Sequence, residues 1–121
     1  MSKKSSRAPE DLTPLQPAVF HILLSLGEGE RHGYALKREI ARRTAGKLTL
    51  GPAVLYGSIS KMLDQGLIEE SEDRPDAHLD DERRRYYRLT AFGRKVAQAE
   101  AARMRDLVDL AAAQFGTRKP A

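Results

Sequence analysis

The chain has 121 residues, 40% of them hydrophobic, with a formal net charge of +4 and no cysteine. That length fits one domain with tails, and the missing cysteine excludes disulfides, zinc–thiolate sites and thiol catalysis. No apolar run approaches the ~20 residues of a membrane span, and the basic N-terminus lacks an apolar signal region, so a soluble, cytoplasmic protein with no membrane partner is expected.

Residues 1–11 are expected to form a disordered basic tail carrying Lys3, Lys4, Arg7 and Pro9. Thr13 opens a first helix as its cap, with Pro14 at the first helical position and Gln16 closing a capping box. Leu15, Val19, Ile22, Leu23 and Leu26 then share one apolar face, and His21 lies off it. Gly27 to Glu30 makes a turn. His32-Gly33-Tyr34 leads into a second helix ending at Thr44, anchored by Leu36 and Ile40. Arg31, Lys37, Arg38, Arg42, Arg43 and Lys47 crowd this segment against only Glu30 and Glu39. Such a helix suits a place across a phosphate backbone, with its N-terminus open to an anion. Leu48-Thr49-Leu50 alternates as a short strand expected to join the sheet that follows.

The third helix begins at Pro52, whose missing N–H suits the first position, and ends at Gly66, which takes a left-handed cap without steric cost. Leu55, Ile59, Met62 and Leu63 form its core stripe, which leaves Ala53, Gly57, Ser60, Lys61 and Asp64 on the opposite face. Three of these five are Ala, Gly or Ser, so the outer face is slim. A major groove ~12 Å wide admits one helix of that shape. Tyr56 sits on the flank, placed to pack its ring and turn its hydroxyl outward.

Leu67-Ile68 and Tyr86 to Leu89 are predicted strands of a hairpin, with one of the two tyrosines buried. The tip of its loop, around His78, Asp80, Asp81 and Glu82, is acidic and repels phosphate, whereas Arg83, Arg84 and Arg85 at its base attract it. The acidic residues make a solvated charge run rather than a metal site, so no metal or cofactor is expected. His21, His32 and His78 are scattered with no nucleophile–base pairing, and the chain does not read as an enzyme.

Thr90 caps a last helix from Ala91 to about Phe115. Ala97, Ala101, Met104, Val108, Ala111 and Phe115 recur at coiled-coil spacing, widened by Leu107 and Leu110. A helix of ~37 Å outruns a body of this size, so the stripe is expected to meet a second copy in a two-fold dimer. Two reading helices then match a palindromic operator in double-stranded DNA, with half-sites about one helical turn apart. The charge distribution agrees: residues 1–66 carry ten Lys and Arg against six Asp and Glu, and residues 67–121 balance.

Together these elements predict a mainly α fold with a small antiparallel β-wing. Residues 12–90 form a winged helix-turn-helix DNA-binding domain, residues 91–115 a long C-terminal dimerisation helix, and residues 116–121 a second disordered tail.

The motifs His32-Gly33-Tyr34, Gly51-Pro-Ala-Val-Leu-Tyr56, Gly66-Leu-Ile68, Arg84-Arg-Tyr-Tyr-Arg-Leu-Thr90 and Phe92-Gly-Arg94, in this order and spacing, give a chain that resembles the PadR family of bacterial transcriptional regulators. The resemblance implies a dimeric repressor, held together by the C-terminal helix and released from DNA by a small molecule or stress signal. It implies that Tyr34 and Tyr56 contact the DNA backbone and that the helix bearing Lys61 reads the groove. It also implies an effector pocket at the dimer interface for aromatic or drug-like compounds, with Leu15, Val19, Met104, Val108 and Phe115 as candidate walls. Two departures stand out: Gly57 replaces the proline that follows the helix tyrosine in many relatives, and the wing is long and acidic. The single C-terminal helix matches the shorter branch of the family. The acidic wing tip motivates the alternative of a winged-helix protein–protein interaction module without DNA binding.

Overall fold

The computed structural model describes residues 7–71 and 85–116. Within them lie α1 (Pro17–Leu26), β1 (Arg31–His32), α2 (Gly33–Arg43), α3 (Pro52–Gln65), β2 (Ile68–Ser71), β3 (Tyr86–Leu89) and α4 (Ala91–Phe115). The acidic wing tip with His78, Asp80, Asp81 and Glu82, and the wing-base residues Arg83 and Arg84, lie outside the described residues.

The start of the chain differs from expectation. Pro9–Leu12 is a short 3-10 helix packed against α4, so the tail gives way to structure before Asp11. Thr13 does not cap α1. Its hydroxyl instead donates to the Glu10 carbonyl at 2.9 Å, closing the 3-10 turn. α1 begins four residues later, at Pro17, because a proline forces the residue before it out of the helical region, and Gln16 is accordingly extended (ψ 145°). The apolar stripe of α1 is as the spacing predicts. Val19, Ile22, Leu23 and Leu26 are buried, and Leu15 packs against them from the preceding segment.

The third strand is also not where the alternation of residues 48–50 placed it. The Leu48 N–H is taken by the Thr44 hydroxyl at 3.0 Å, which folds this segment back on the end of α2, and Leu50 plugs the core from the connection to α3. The sheet instead recruits Arg31–His32, in the order β1-β3-β2, all antiparallel. Arg31 pairs with Tyr87 and His32 with Tyr86, while Ile68 to Ser71 pair with Leu89 to Tyr86.

α3 follows its local signals at both ends. Pro52 stands at the first helical position, and Gly66 adopts φ 79°. There the Leu67 N–H reaches the Met62 carbonyl at 3.0 Å and the Gly66 N–H the Leu63 carbonyl at 3.1 Å, the paired bonds of a Schellman cap. Leu55, Ile59 and Met62 are buried against Leu36 and Ile40 of α2, the α1 stripe, Leu67, Ile68, Tyr87 and Val96. Of the two tyrosines in β3, Tyr87 is buried and Tyr86 half-buried.

Thr90 locks α4 onto the sheet. Its hydroxyl accepts from the Gly93 N–H at 2.9 Å and lies 2.6 Å from the Gly66 carbonyl and 3.0 Å from that of Leu67. The first half of α4 then buries Gly93, Val96 and Glu100. Glu100 is a fully buried carboxylate. It accepts two hydrogen bonds from the Arg103 guanidinium, both at 2.8 Å, and one from the Leu15 N–H at 3.3 Å. The Arg103 bonds hold its pKa below the ordinary carboxylate range, assisted by the Leu15 N–H and opposed by burial. Past this point α4 leaves the body, and Leu107, Val108, Leu110 and Phe115 are 50–81% exposed.

Candidate nucleic-acid interface

The outer face of α3 is open. Ala53, Gly57, Ser60, Lys61 and Asp64 are all exposed, and nothing lies within 4 Å of where a Gly57 side chain would begin. Helical geometry alone specifies this set, since the buried residues Leu55, Ile59 and Met62 occupy the other side. Val54 lies outside the set that the core-stripe spacing defines. It stands in the first turn of α3, 55% exposed, on the flank of the slim face shared with Lys61. Its signal was in the sequence: a β-branched apolar residue one step outside the core stripe.

α2 lies beside α3, and its cap His32 and first two residues, Gly33 and Tyr34, have separate tasks. The His32 Nδ1 caps the helix by accepting from the Ala35 N–H at 3.1 Å, so one of the first-turn N–H groups expected to face an anion is already occupied. The His32 ring meets Tyr86 edge-on, with centroids 5.4 Å apart. Gly33 is buried, and Tyr34 is 48% exposed with the Arg38 guanidinium 5.6 Å from its ring centroid. Tyr56 of α3 is half-buried against this end of α2, its ring over Gly33.

The cations of the region divide into two groups. Arg31 pairs with Glu28 at 2.9 Å, and Arg43 pairs with Glu39 at 3.2 Å while donating to the Ser25 hydroxyl at 3.1 Å. Arg42 also bonds Glu39, and this bond is the main reason that the Glu39 pKa falls and the Arg42 pKa rises. Arg31 and Arg43 tie α1, β1 and α2 together, whereas Arg42 is exposed and pairs within α2 alone. Lys37, Arg38 and Lys61 make no ion pair among the described residues. Lys47, exposed after α2, makes none either, so the positive charge available to an external anion sits on one turn of α2, at Lys47 and on the outer face of α3. On the sheet, Arg85 faces Glu70 at 3.5 Å, and Arg88 pairs with Glu69 at 2.8 Å and Glu30 at 3.7 Å. Arg85 at the wing base is thus exposed but already paired.

The candidate pocket residues fall into two places within one protomer. Val19 is in the core with Leu15 packed on it, whereas Met104, Val108 and Phe115 lie exposed along α4. Among the described residues there is no cluster of His, Asp or Glu able to hold a metal, and no helix is long and apolar enough to cross a membrane.

The profile of the transcriptional regulator PadR-like family matches residues 22–99. The chain belongs to the PadR-like family. It is a DNA-binding transcription regulator rather than an enzyme, with a winged-helix fold and a long C-terminal helix. The fold is similar to a transcriptional regulator from Clostridium thermocellum, with a TM-score of 0.65 and 23% identity, covering 83% of this chain and 90% of that one. It is also similar to a probable transcriptional regulator from Pseudomonas aeruginosa, with a TM-score of 0.58 and 28% identity, covering 85% of this chain and 68% of that one. An uncharacterised protein of Lysinibacillus sphaericus is 28% identical over 92 residues, 74% of this chain and 82% of its own length. The PadR-like match spans α1 from Ile22 through the part of α4 seated on the body, and so includes both helices of the interface.

Proposed function

We propose that this PadR-like chain is a homodimeric, cytoplasmic repressor that binds a palindromic operator through α3 and is released by a small-molecule or stress signal. The observation that carries the DNA-reading surface is the open, small-residue face of α3 beside Lys37, Arg38 and Lys61, which make no ion pair among the described residues. Ala53, Gly57 and Ser60 allow the backbone into the major groove, Lys61 meets base edges or phosphate, and Val54 offers an apolar contact of the kind that recognises the thymine methyl. Tyr34, Tyr56, Lys37 and Arg38 hold the duplex backbone, with Arg83, Arg84 and Arg85 at the base of the wing. Contacts of this kind fix position without reading sequence.

The dimer is supported by the half of α4 that leaves the body. Met104, Leu107, Val108, Leu110 and Phe115 are all at least 37% exposed, alongside the exposed Ala101 and Ala111. An apolar stripe of this length is covered most economically by its own copy, a self-complementary two-fold contact. Ala97, half-buried against the core of its own protomer, stands at the start of the seam. The repressor role and the effector follow the family resemblance. A pocket between the protomers, with Leu15, Met104, Val108 and Phe115 nearest to it, is where a ligand would alter the spacing of the two reading helices.

Selection of bound duplexes from the source genome, followed by affinity measurement on the recovered sequence, tests the reading. Lys61→Ala is expected to weaken binding at least tenfold, about 1.4 kcal/mol. Retention of full affinity by Lys61→Ala would place the reading surface elsewhere.

A further inference from the structure

The glycine of the His32-Gly33-Tyr34 motif has no conformational reason to be a glycine. It opens α2 after an ordinary extended cap, His32 at φ −85° and ψ 166°, and is not among the residues with positive φ. Its reason lies in α3. A Cβ on Gly33 would stand 2.7 Å from the Tyr56 hydroxyl oxygen, 2.8 Å from Cε1 and 3.1 Å from Cζ. The Tyr56 ring therefore occupies the space a side chain would need. The three nearest atoms all belong to the outer end of that ring, so an added methyl strikes the phenol first and displaces it.

We propose that Gly33 is a positioning residue for Tyr56: by carrying no side chain it seats the Tyr56 ring on the first turn of α2 and so sets where the hydroxyl meets a DNA phosphate. This rests on the DNA-binding surface proposed above. It also explains how two distant motifs depend on each other. His32 fixes the turn to the sheet through Tyr86, Gly33 seats Tyr56, and Tyr34 stays outward under Arg38. A hydroxyl placed in this way donates one hydrogen bond to a charged oxygen, and removing it costs five- to tenfold in affinity, roughly 1–1.4 kcal/mol.

The test uses the full chain, a short random-sequence duplex at low salt, and the variants Gly33→Ala, Tyr56→Phe and both together. Gly33→Ala and Tyr56→Phe are each expected to weaken binding about five- to tenfold, and the double variant to bind no more weakly than the weaker single. A merely structural role for Gly33 would make the two losses multiply, and that result overturns the proposal, as does a Gly33→Ala variant that binds like the wild type. A second readout needs no DNA. With ring-labelled tyrosines, the Tyr56 resonance, assigned from its loss in Tyr56→Phe, is expected to shift in Gly33→Ala while those of Tyr34 and Tyr87 stay. An unmoved Tyr56 resonance rejects the positioning role even where DNA binding is intact. A moved resonance in a protein that binds no duplex keeps the positioning and rejects the DNA-binding surface instead. Should Gly33→Ala lower the thermal midpoint, it is expected to cause no further fall in a Tyr56→Ala background, because the ring is what the methyl strikes; an equal fall in both backgrounds counts against the proposal.

Discussion

Gly93 has no side chain, and the Leu67 carbonyl stands where one would go: a Cβ there would lie 2.9 Å from the Leu67 carbonyl carbon and 3.1 Å from Leu89 Cδ1. Unlike the ring over Gly33, this obstacle is backbone, held by the Thr90 N–H at 3.2 Å. Gly93→Ala must push the start of α4 away from Leu67, the residue ahead of β2. The expected loss is about 3 kcal/mol or more, at the upper end of overpacking effects, read as a fall in the midpoint of thermal or urea unfolding.

Gly57 is the opposite case. It lies inside α3 with open space around it, so the fold gains nothing from its lack of a side chain. Gly57→Ala is expected to stabilise the protein by up to about 1 kcal/mol through helix propensity alone. On the proposed reading the added methyl faces the groove, so DNA affinity is expected to fall while the unfolding midpoint rises. A rise in both would mean that α3 does not approach the bases closely.

The division of the cations makes a paired prediction. Arg38→Ala removes an unpaired charge and is expected to weaken DNA binding and flatten the salt dependence by about one unit of slope. Arg42→Ala removes a charge already engaged by Glu39 and is expected to leave that slope nearly unchanged. Affinity measured across a salt series separates the two.

The buried Glu100 predicts an acid limb to stability. Its pKa is lowered in the folded state, chiefly by Arg103. The unfolded chain therefore holds this proton more tightly than the folded one, and stability falls as pH drops below the ordinary carboxylate value of about 4.3 toward the lower folded value. Above that window the contribution is fully present. Glu100→Gln is expected to cost about 1–3 kcal/mol at neutral pH by breaking the charged pair, and to flatten the acid limb. Urea midpoints at a series of pH values check both. Because Glu100 also holds the Leu15 N–H, the variant should loosen the segment ahead of α1, visible as faster amide exchange there.

The α4 stripe predicts the oligomeric state. Val108 is 60% exposed, so Val108→Asp should leave the protomer folded. Sedimentation is expected to show a dimer for the wild type and a monomer for the variant. Affinity for a palindromic duplex should fall about a hundredfold, as two linked half-site contacts become independent.

The parts of the fold legible in the sequence are those set by local chemistry. Pro52 and Gly66 bracket α3, Thr90 starts α4, and the 3.6-residue repeat separates Leu55, Ile59 and Met62 from the exposed face. What was missed depends on competition or on distance. Thr13-Pro14 and Gln16-Pro17 both carry a helix-start signal, and the second prevails because Gln16 cannot be helical ahead of Pro17. β1 has two residues, too few to show alternation, and exists only because Tyr86 and Tyr87 of a distant segment pair with it. The dependence of Tyr56 on Gly33 has no sequence signal at all, since it arises where two helices meet.

The most direct test of the account is selection from a random-sequence duplex pool by the wild type and by Lys61→Ala in parallel. The account predicts that the wild type enriches a palindrome with half-site centres about one helical turn apart, and that Lys61→Ala does not. Equal enrichment of the same palindrome by both proteins, or no enrichment by the wild type, would contradict it.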